Sequence, residues 1–397
     1  MKIIAFYLPQ FHNIPENDDW WGDGFTEWVN VKKAKPLYEG HEQPRVPLNN
    51  NYYYLLDDNV KIWQAQLAKK YGIYGFCYYH YWFNGKRLLE KPMEEMLRNK
   101  KVDLPFCICW ANERWTKAWV NENRVLISQS YGQKPDWKQH FDYLLQFFQD
   151  DRYIKVDGKP LMVIHKAEVI ECLNDMLDYW NTLAQAEGFP GLSYAYQDIT
   201  FDLVKNKDDS RFDYNIEFQP DYAWNDMNNQ TALQRSKFWN RLRSLKRNFY
   251  IILEKKLEFD MARYLARKGK LEVKKASYAA AWQAILDRKP ETNKNLPGAF
   301  VGWDNTPRKG KAGRVFCGDT PEVFEKFLGQ QIAHARDDYH KDMIFIYAWN
   351  EWAEGGYLEP DERNGYRNLE AIKNALDANN EFPTWESECN KLVGARS

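Results

Sequence analysis

A (β/α)8 barrel is the fold class that this sequence predicts, and three observations carry the prediction. Eight short apolar, β-rich runs follow one another along 397 residues, and most intervals between them show helical periodicity. Several of these runs are nearly continuous in hydrophobic residues, as parallel strands buried on both faces are. A doubly wound sheet, the alternative, needs a phosphate-binding glycine turn after the first strand, and the chain continues there as Pro9-Gln10-Phe11-His12.

The runs occupy residues 3–8, 73–82, 105–113, 161–166, 192–197, 214–220, 298–305 and 343–352. After the first comes a long loop, residues 9–51, which holds Trp20, Trp21 and Trp28; a connection this long is expected to be functional or packed on itself. Residues 57–71 read as a helix, with Val60, Trp63, Gln64 and Leu67 on one face and Gly72 as its stop. Residues 136–149 repeat Trp137, Phe141, Leu144, Leu145 and Phe148 at helical spacing, and residues 167–186 and 321–338 are similar. Thr320 before Pro321 is an N-cap followed by a first-turn proline. Between the sixth and seventh runs lies an insertion, residues 225–290, expected to be helical and to stand outside the barrel. Within it, residues 230–275 hold 14 Lys and Arg against 4 Asp and Glu, with Leu233, Phe238, Leu242, Leu245, Phe249, Ile252 and Leu253 at helical spacing. That segment reads either as a solvated insertion or as a basic amphipathic surface for anionic membrane lipid or a charged glycan. The whole is expected to be one catalytic domain over residues 1–378, with a poorly structured tail over 379–397.

Composition narrows the function. The formal net charge is −1, from 55 basic and 56 acidic residues, so no global charge calls for a nucleic-acid partner. Apolar runs such as residues 343–349 are far shorter than the roughly 20 residues of a membrane helix. The apolar N-terminal stretch is too short for a signal peptide. Cys77, Cys107 and Cys109 sit in apolar runs as buried thiols rather than a disulfide frame, which points to a reducing, cytoplasmic location. Aromatic residues make up 16% of the chain, which reads either as a large aromatic-rich core or as a cleft lined with flat rings and polar tips. Flat rings with polar tips suit sugars, whose C–H faces stack while their hydroxyls take hydrogen bonds.

The chemistry concentrates at the C-terminal ends of the runs, where a barrel builds its active site. Tyr7 and His12 close the first, His80 and Trp82 the second, and Trp110, Asn112, Glu113 and Trp115 the third. His165, Gln197 and Glu217 stand at the next three, Trp303, Asp304 and Asn305 at the seventh, and Trp349, Asn350, Glu351, Trp352 and Glu354 at the eighth. Glu351 and Glu354 form the expected catalytic pair, since cleaving a glycosidic bond takes one carboxyl to protonate the leaving oxygen and a second to act as nucleophile, base or assistant. Trp349 and Trp352 are expected to desolvate one of them and raise its pKa. Apart from His165, Gln197 and Glu217, the others named, with Trp28, are candidate sugar-binding residues; Glu27 more readily reads as structural. His12, His80 and His165 lack metal-ligand spacing, and no P-loop, Gly-x-Ser-x-Gly elbow or dinucleotide turn occurs, so no metal and no cofactor are expected.

The segments Ala5-Phe6-Tyr7-Leu8-Pro9-Gln10-Phe11-His12, Gly24-Phe25-Thr26-Glu27-Trp28, Gly75-Phe76-Cys77-Tyr78-Tyr79-His80-Tyr81-Trp82-Phe83 and Trp110-Ala111-Asn112-Glu113 resemble the WbsX-like family. So do Trp303-Asp304-Asn305-Thr306-Pro307-Arg308 and Ala348-Trp349-Asn350-Glu351-Trp352-Ala353-Glu354-Gly355, and the resemblance runs to about residue 376. Members are labelled glycosyltransferases of polysaccharide or O-antigen clusters and carry a domain similar to glycoside hydrolase family 99, a (β/α)8 barrel of retaining endo-α-mannosidases. The resemblance implies that Glu351 deprotonates the substrate 2-hydroxyl, that Glu354 is the general acid/base, and that reaction passes through a 1,2-anhydro sugar. The expected activity is cleavage or transglycosylation of α-glycosidic bonds in a bacterial polysaccharide or O-antigen-type glycan. The alternatives are a glycosyltransferase of lipopolysaccharide or capsule biosynthesis and a non-catalytic sugar-binding protein. Similarity to family 99 outside the last motif is thin, so mannose specificity does not carry over.

Overall fold

The structure, a computed structural model, describes residues 1–116, 125–199, 208–234 and 271–385. Nine parallel strand segments form its central sheet: β1 Lys2–Tyr7, β2 Ile73–Phe83, β3 Phe106–Trp110, β4 Lys159–Ile164, β5 Ser193–Asp198, β6 Tyr214–Glu217, β7 Asn295–Leu296, β8 Gly298–Phe300 and β9 Met343–Tyr347. Their order across the sheet is β7-β6-β5-β4-β3-β2-β1-β9-β8. The ends of that order meet, because β7 and β8 are one run divided at Pro297. Proline has no N–H to give a ladder. Before it, Asn295 and Leu296 pair with β6; after it, Gly298 to Phe300 pair with β9. The nine segments therefore close an eight-fold barrel that corresponds to the eight apolar runs. At the closing seam a Cβ on Gly298 would stand 1.9 Å from the Glu217 carbonyl oxygen, so only glycine lets the two backbones approach.

The helices form where local signals place them. Asp58–Lys70 is N-capped by Asp57, whose carboxylate accepts from the Asn59 amide, and Pro321–Asp337 is capped by Thr320, which accepts from the Val323 amide. Lys134–Phe148 buries Trp137, Phe141, Leu144, Phe147 and Phe148. The stretch expected as one helix over 167–186 divides into a 3-10 turn, Ala167–Val169, and the helix Leu173–Ala186.

The long loop after β1 is partly helical: it contains Pro15–Trp21, Glu27–Lys33 and the 3-10 turn Leu48–Asn50. Residues 379–385 form neither helix nor strand but are tied to the domain by contacts. The Met1 amino group meets the Glu381 carboxylate at 2.7 Å, Phe382 packs on the core, and the Trp385 indole donates to the Tyr74 carbonyl at 3.2 Å. Of the insertion, the helix Asp221–Gln234, the strand Lys274–Ser277 and the helix Tyr278–Leu286 are described. Most of the basic segment, residues 235–270, lies outside the described residues, and with it the expected helical surface. No helix among the described residues is long and apolar enough to cross a membrane.

Candidate functional site

A cavity of about 720 Å³ opens at the C-terminal mouth of the barrel. Tyr79 and Tyr81 reach it from β2, Glu113 and Trp115 from beyond β3, and His165 from beyond β4. Phe218 comes from the end of β6, Trp303, Asn305 and Arg308 from beyond β8, and Tyr347, Glu351 and Glu354 from the end of β9. Below them Phe6 stacks on Tyr79 with centroids 5.6 Å apart, and Phe218 stands edge-on to both Phe6 and Tyr347, at 5.4 and 5.5 Å. This aromatic floor gives the charges above it an apolar base, which strengthens their interactions.

The carboxylate cluster is organised by one guanidinium. Arg308 places Nη2 at 3.1 Å from Glu351 Oε2, Nη1 at 2.8 Å from Glu354 Oε1 and Nε at 2.8 Å from Glu27 Oε1. The Tyr347 hydroxyl donates to the second Glu354 oxygen at 2.6 Å. Burial pushes the Glu351 carboxyl up to about 8; Arg308 opposes the rise, and the neighbouring Glu354 and Glu27 add to it. The turn carrying Glu354 is pinned from behind. Gly355 takes φ +63°, and a Cβ there would lie 2.8 Å from the Asp304 amide nitrogen, which donates to the Glu354 carbonyl at 2.7 Å.

The opposite wall is a second ionic group. Glu113 Oε2 lies 3.3 Å from His165 Nε2, and Lys166 contacts the other oxygen. Burial would raise the Glu113 carboxyl, but the hydrogen bond from His165 and the charge of Lys166 outweigh it and hold it at about 2. Among the described residues, no group of three His, Cys, Asp or Glu side chains is arranged to hold a metal ion.

Of the expected site residues, Glu113, Trp115, Trp303, Asn305, Glu351 and Glu354 line this cavity. The others lie behind it. Tyr7 faces the helix layer and donates to Gln64 at 2.7 Å. His80 bonds His140 at 2.9 Å, and Trp82 stacks on the same imidazole at 4.4 Å. Trp110 stands edge-on to His140, and Trp349 is wholly buried against Phe76. His12 bonds the Pro9 carbonyl at 2.9 Å, and Trp28 donates to the Tyr53 carbonyl at 2.8 Å. Asn112 and Asn350 brace backbone: the first bridges the Lys166 amide and carbonyl, the second those of Leu8. Trp352 donates to Glu359 at 2.7 Å. Asp304 is buried beneath the mouth and accepts from His41, Gln43 and Thr306.

The physical reason is strand parity, since successive side chains on a strand point to opposite faces. On β2 the inward residues are Tyr79 and Tyr81, so His80 and Trp82 point to the helices. On β1 the inward residue is Phe6 rather than Tyr7. Trp349 and Trp352 are buried outside the cavity lining, and the rings that line it around Glu351 and Glu354 include Tyr79, Tyr81, Trp303 and Tyr347. Sequence reasoning missed Arg308, Tyr79, Tyr81 and Tyr347 as site residues. A buried arginine closing the Asn305-Thr306-Pro307-Arg308 turn was the available signal, because such a charge needs carboxylate partners.

Residues 3–372 match the family model described as Glycosyltransferase WbsX. The uncharacterized protein WxcX, from two strains of Xanthomonas campestris pv. campestris, is 34% identical over 380 residues, covering 94% of this chain and 49% of WxcX. The chain thus spans about half the length of the curated relatives it matches. Among solved structures, the GH99 endo-α-mannosidase from Bacteroides thetaiotaomicron is 14% identical with a TM-score of 0.50, covering 95% of this chain and 96% of that one. Its complex with bis-tris-propane gives a TM-score of 0.52 at 13% identity, with coverage of 95% and 96%. A glycoside hydrolase-like protein gives 0.55 at 12% identity, covering 97% of this chain and 94% of that one. These structural likenesses establish the barrel fold.

Proposed function

The chain belongs to the glycosyltransferase WbsX family, and on that premise we propose that it is a glycan-processing enzyme that breaks an α-glycosidic bond with retention, using Glu351 and Glu354. The observation that carries the reading is the pair of carboxyls sharing Arg308 at the inner end of a sugar-sized cavity. One carboxylate takes the proton of the substrate 2-hydroxyl as that oxygen closes on the anomeric carbon. The anomeric carbon–oxygen bond breaks, and the other carboxyl gives its proton to the departing oxygen. Water then opens the 1,2-anhydro sugar at the anomeric carbon, losing a proton to the second carboxylate, while the 2-oxygen recovers one from the first. A sugar hydroxyl in place of water gives transfer. The substrate is a bacterial polysaccharide or O-antigen-type glycan; a cytoplasmic location belongs to the same reading and rests on the free buried thiols Cys77, Cys107 and Cys109.

In this scheme Glu351 is the base and Glu354 the acid/base. One observation favours the exchanged roles. Both Glu354 oxygens accept from donors, Arg308 and Tyr347, which suits an ionised carboxylate, whereas burial leaves Glu351 holding a proton up to about pH 8. Kinetics on aryl glycosides separate the two. The Gln variant of the acid loses about 10²–10⁴-fold on a poor leaving group and much less on an activated one, while the variant of the base loses on both.

The family's name favours a second reaction class, transfer from a nucleotide sugar. Purified protein incubated with a glycan panel, with and without nucleotide sugars, decides between them. Cleavage without a nucleotide donor supports the proposal. Product formation only with a nucleotide sugar replaces it with a transferase, and binding without turnover under any condition replaces it with a sugar-binding protein.

A further inference from the structure

We infer that Glu27 sets how firmly Glu351 holds its proton, acting through the guanidinium that the two share. Glu27 begins the helix Glu27–Lys33 in the long loop after β1, and its side chain is 0% exposed. It cannot touch a substrate, so it is a positioning residue. Its Oε1 accepts from Asn30 at 2.9 Å and from Arg308 at 2.8 Å, while its buried Oε2 has no hydrogen-bond partner among the described residues. A buried carboxylate with one bare oxygen is an undercompensated charge, and it draws on the nearest cation.

That cation also serves Glu351 and Glu354, one guanidinium nitrogen to each carboxyl. Three ionised carboxyls against one guanidinium would leave two uncompensated charges in a largely buried cluster, which favours retention of a proton. Among the described residues Glu27 accepts from two donors and Glu354 from two, Glu351 from Arg308 alone. The proton therefore rests on Glu351. The other titratable groups bearing on Glu351 are the phenols of Tyr79, Tyr81 and Tyr347, all raised by burial and hence neutral. Glu27 thus diverts part of Arg308's charge away from Glu351 and adds a negative field of its own, and both effects favour the protonated form.

The inference rests on the reading of Glu351 as a catalytic carboxyl, but its test does not need turnover. The carboxyl stretch of protonated Glu351 is followed by infrared difference spectroscopy against pH, assigned by its absence in Glu351→Gln. In the unaltered protein it disappears near pH 8. In Glu27→Gln, with one negative charge gone and Arg308 released toward Glu351, the midpoint falls by about one pH unit or more. Glu27→Asp keeps the charge but withdraws it from Arg308, and it shifts the midpoint the same way by less; it serves if the Gln variant does not fold. An unchanged midpoint in the folded variants, with only reduced stability, overturns the inference and leaves Glu27 a structural residue. Should the protein be inactive on every glycan, the catalytic reading fails while this titration still stands or falls alone.

Discussion

The Tyr347 hydroxyl donates to Glu354 Oε2 at 2.6 Å, so one side chain of the barrel floor holds one member of the proposed catalytic pair from below. The Tyr347 ring is itself fixed between Phe218 at 5.5 Å and Trp303 at 5.4 Å. Tyr347→Phe keeps those ring contacts and removes only the donor. A hydrogen bond to a charged group contributes about 1.5–3 kcal/mol, so stability is expected to fall by about that amount and activity by about 10- to 100-fold. Steady-state kinetics with parallel urea titrations check it.

Arg308 is the counter-charge for three carboxyls, and removing it strands them. Arg308→Met is expected to cost about 3–5 kcal/mol, as breaking a buried ion pair does. Arg308→Lys keeps the charge but cannot direct donors at three carboxyls from one planar fork, so its loss is smaller but still measurable. Urea denaturation of both variants reads the order; equal stability of the Met variant and the unaltered protein would contradict the clamp.

The pH dependence of stability near neutrality follows from the three carboxyls that burial raises furthest. Burial lifts Glu351 to about 8 and Glu217 and Glu359 to about 7, from 4.5. Each keeps its proton in the folded protein where the unfolded chain has released it, so each contributes stability that is lost as pH rises toward the folded value. Buried His12 and His80, lowered to about 4 and about 3, act oppositely but only below their ordinary value of 6.5. Stability is therefore expected to decline between about pH 6.5 and 8, and to decline less in Glu351→Gln. Denaturant titrations at several pH values measure both slopes.

The barrel seam gives a purely structural test. In Gly298→Ala the new methyl meets the Glu217 carbonyl oxygen, a backbone atom that cannot swing aside. Overpacking of this kind costs about 1–3 kcal/mol or more, and thermal unfolding should show it.

Much of the architecture was legible in the sequence because its causes are local. The eight apolar runs, the cap Thr320, and the acidic residues Glu113, Glu351 and Glu354 at strand ends all follow from hydrophobic continuity, turn chemistry and position along a run. What the tertiary structure alone decided is which face each residue presents and which distant residues meet. Strands buried on both sides are apolar on both, so their two-residue period has no visible phase. Only barrel closure turns Tyr79 and Tyr81 inward and His80 and Trp82 outward. Likewise, no local pattern announces that Glu27 and Arg308, 281 residues apart, share one ion pair. Their meeting is set by how the loop after β1 folds over the turn after β8, and a buried charge finds its partner only when that packing is complete.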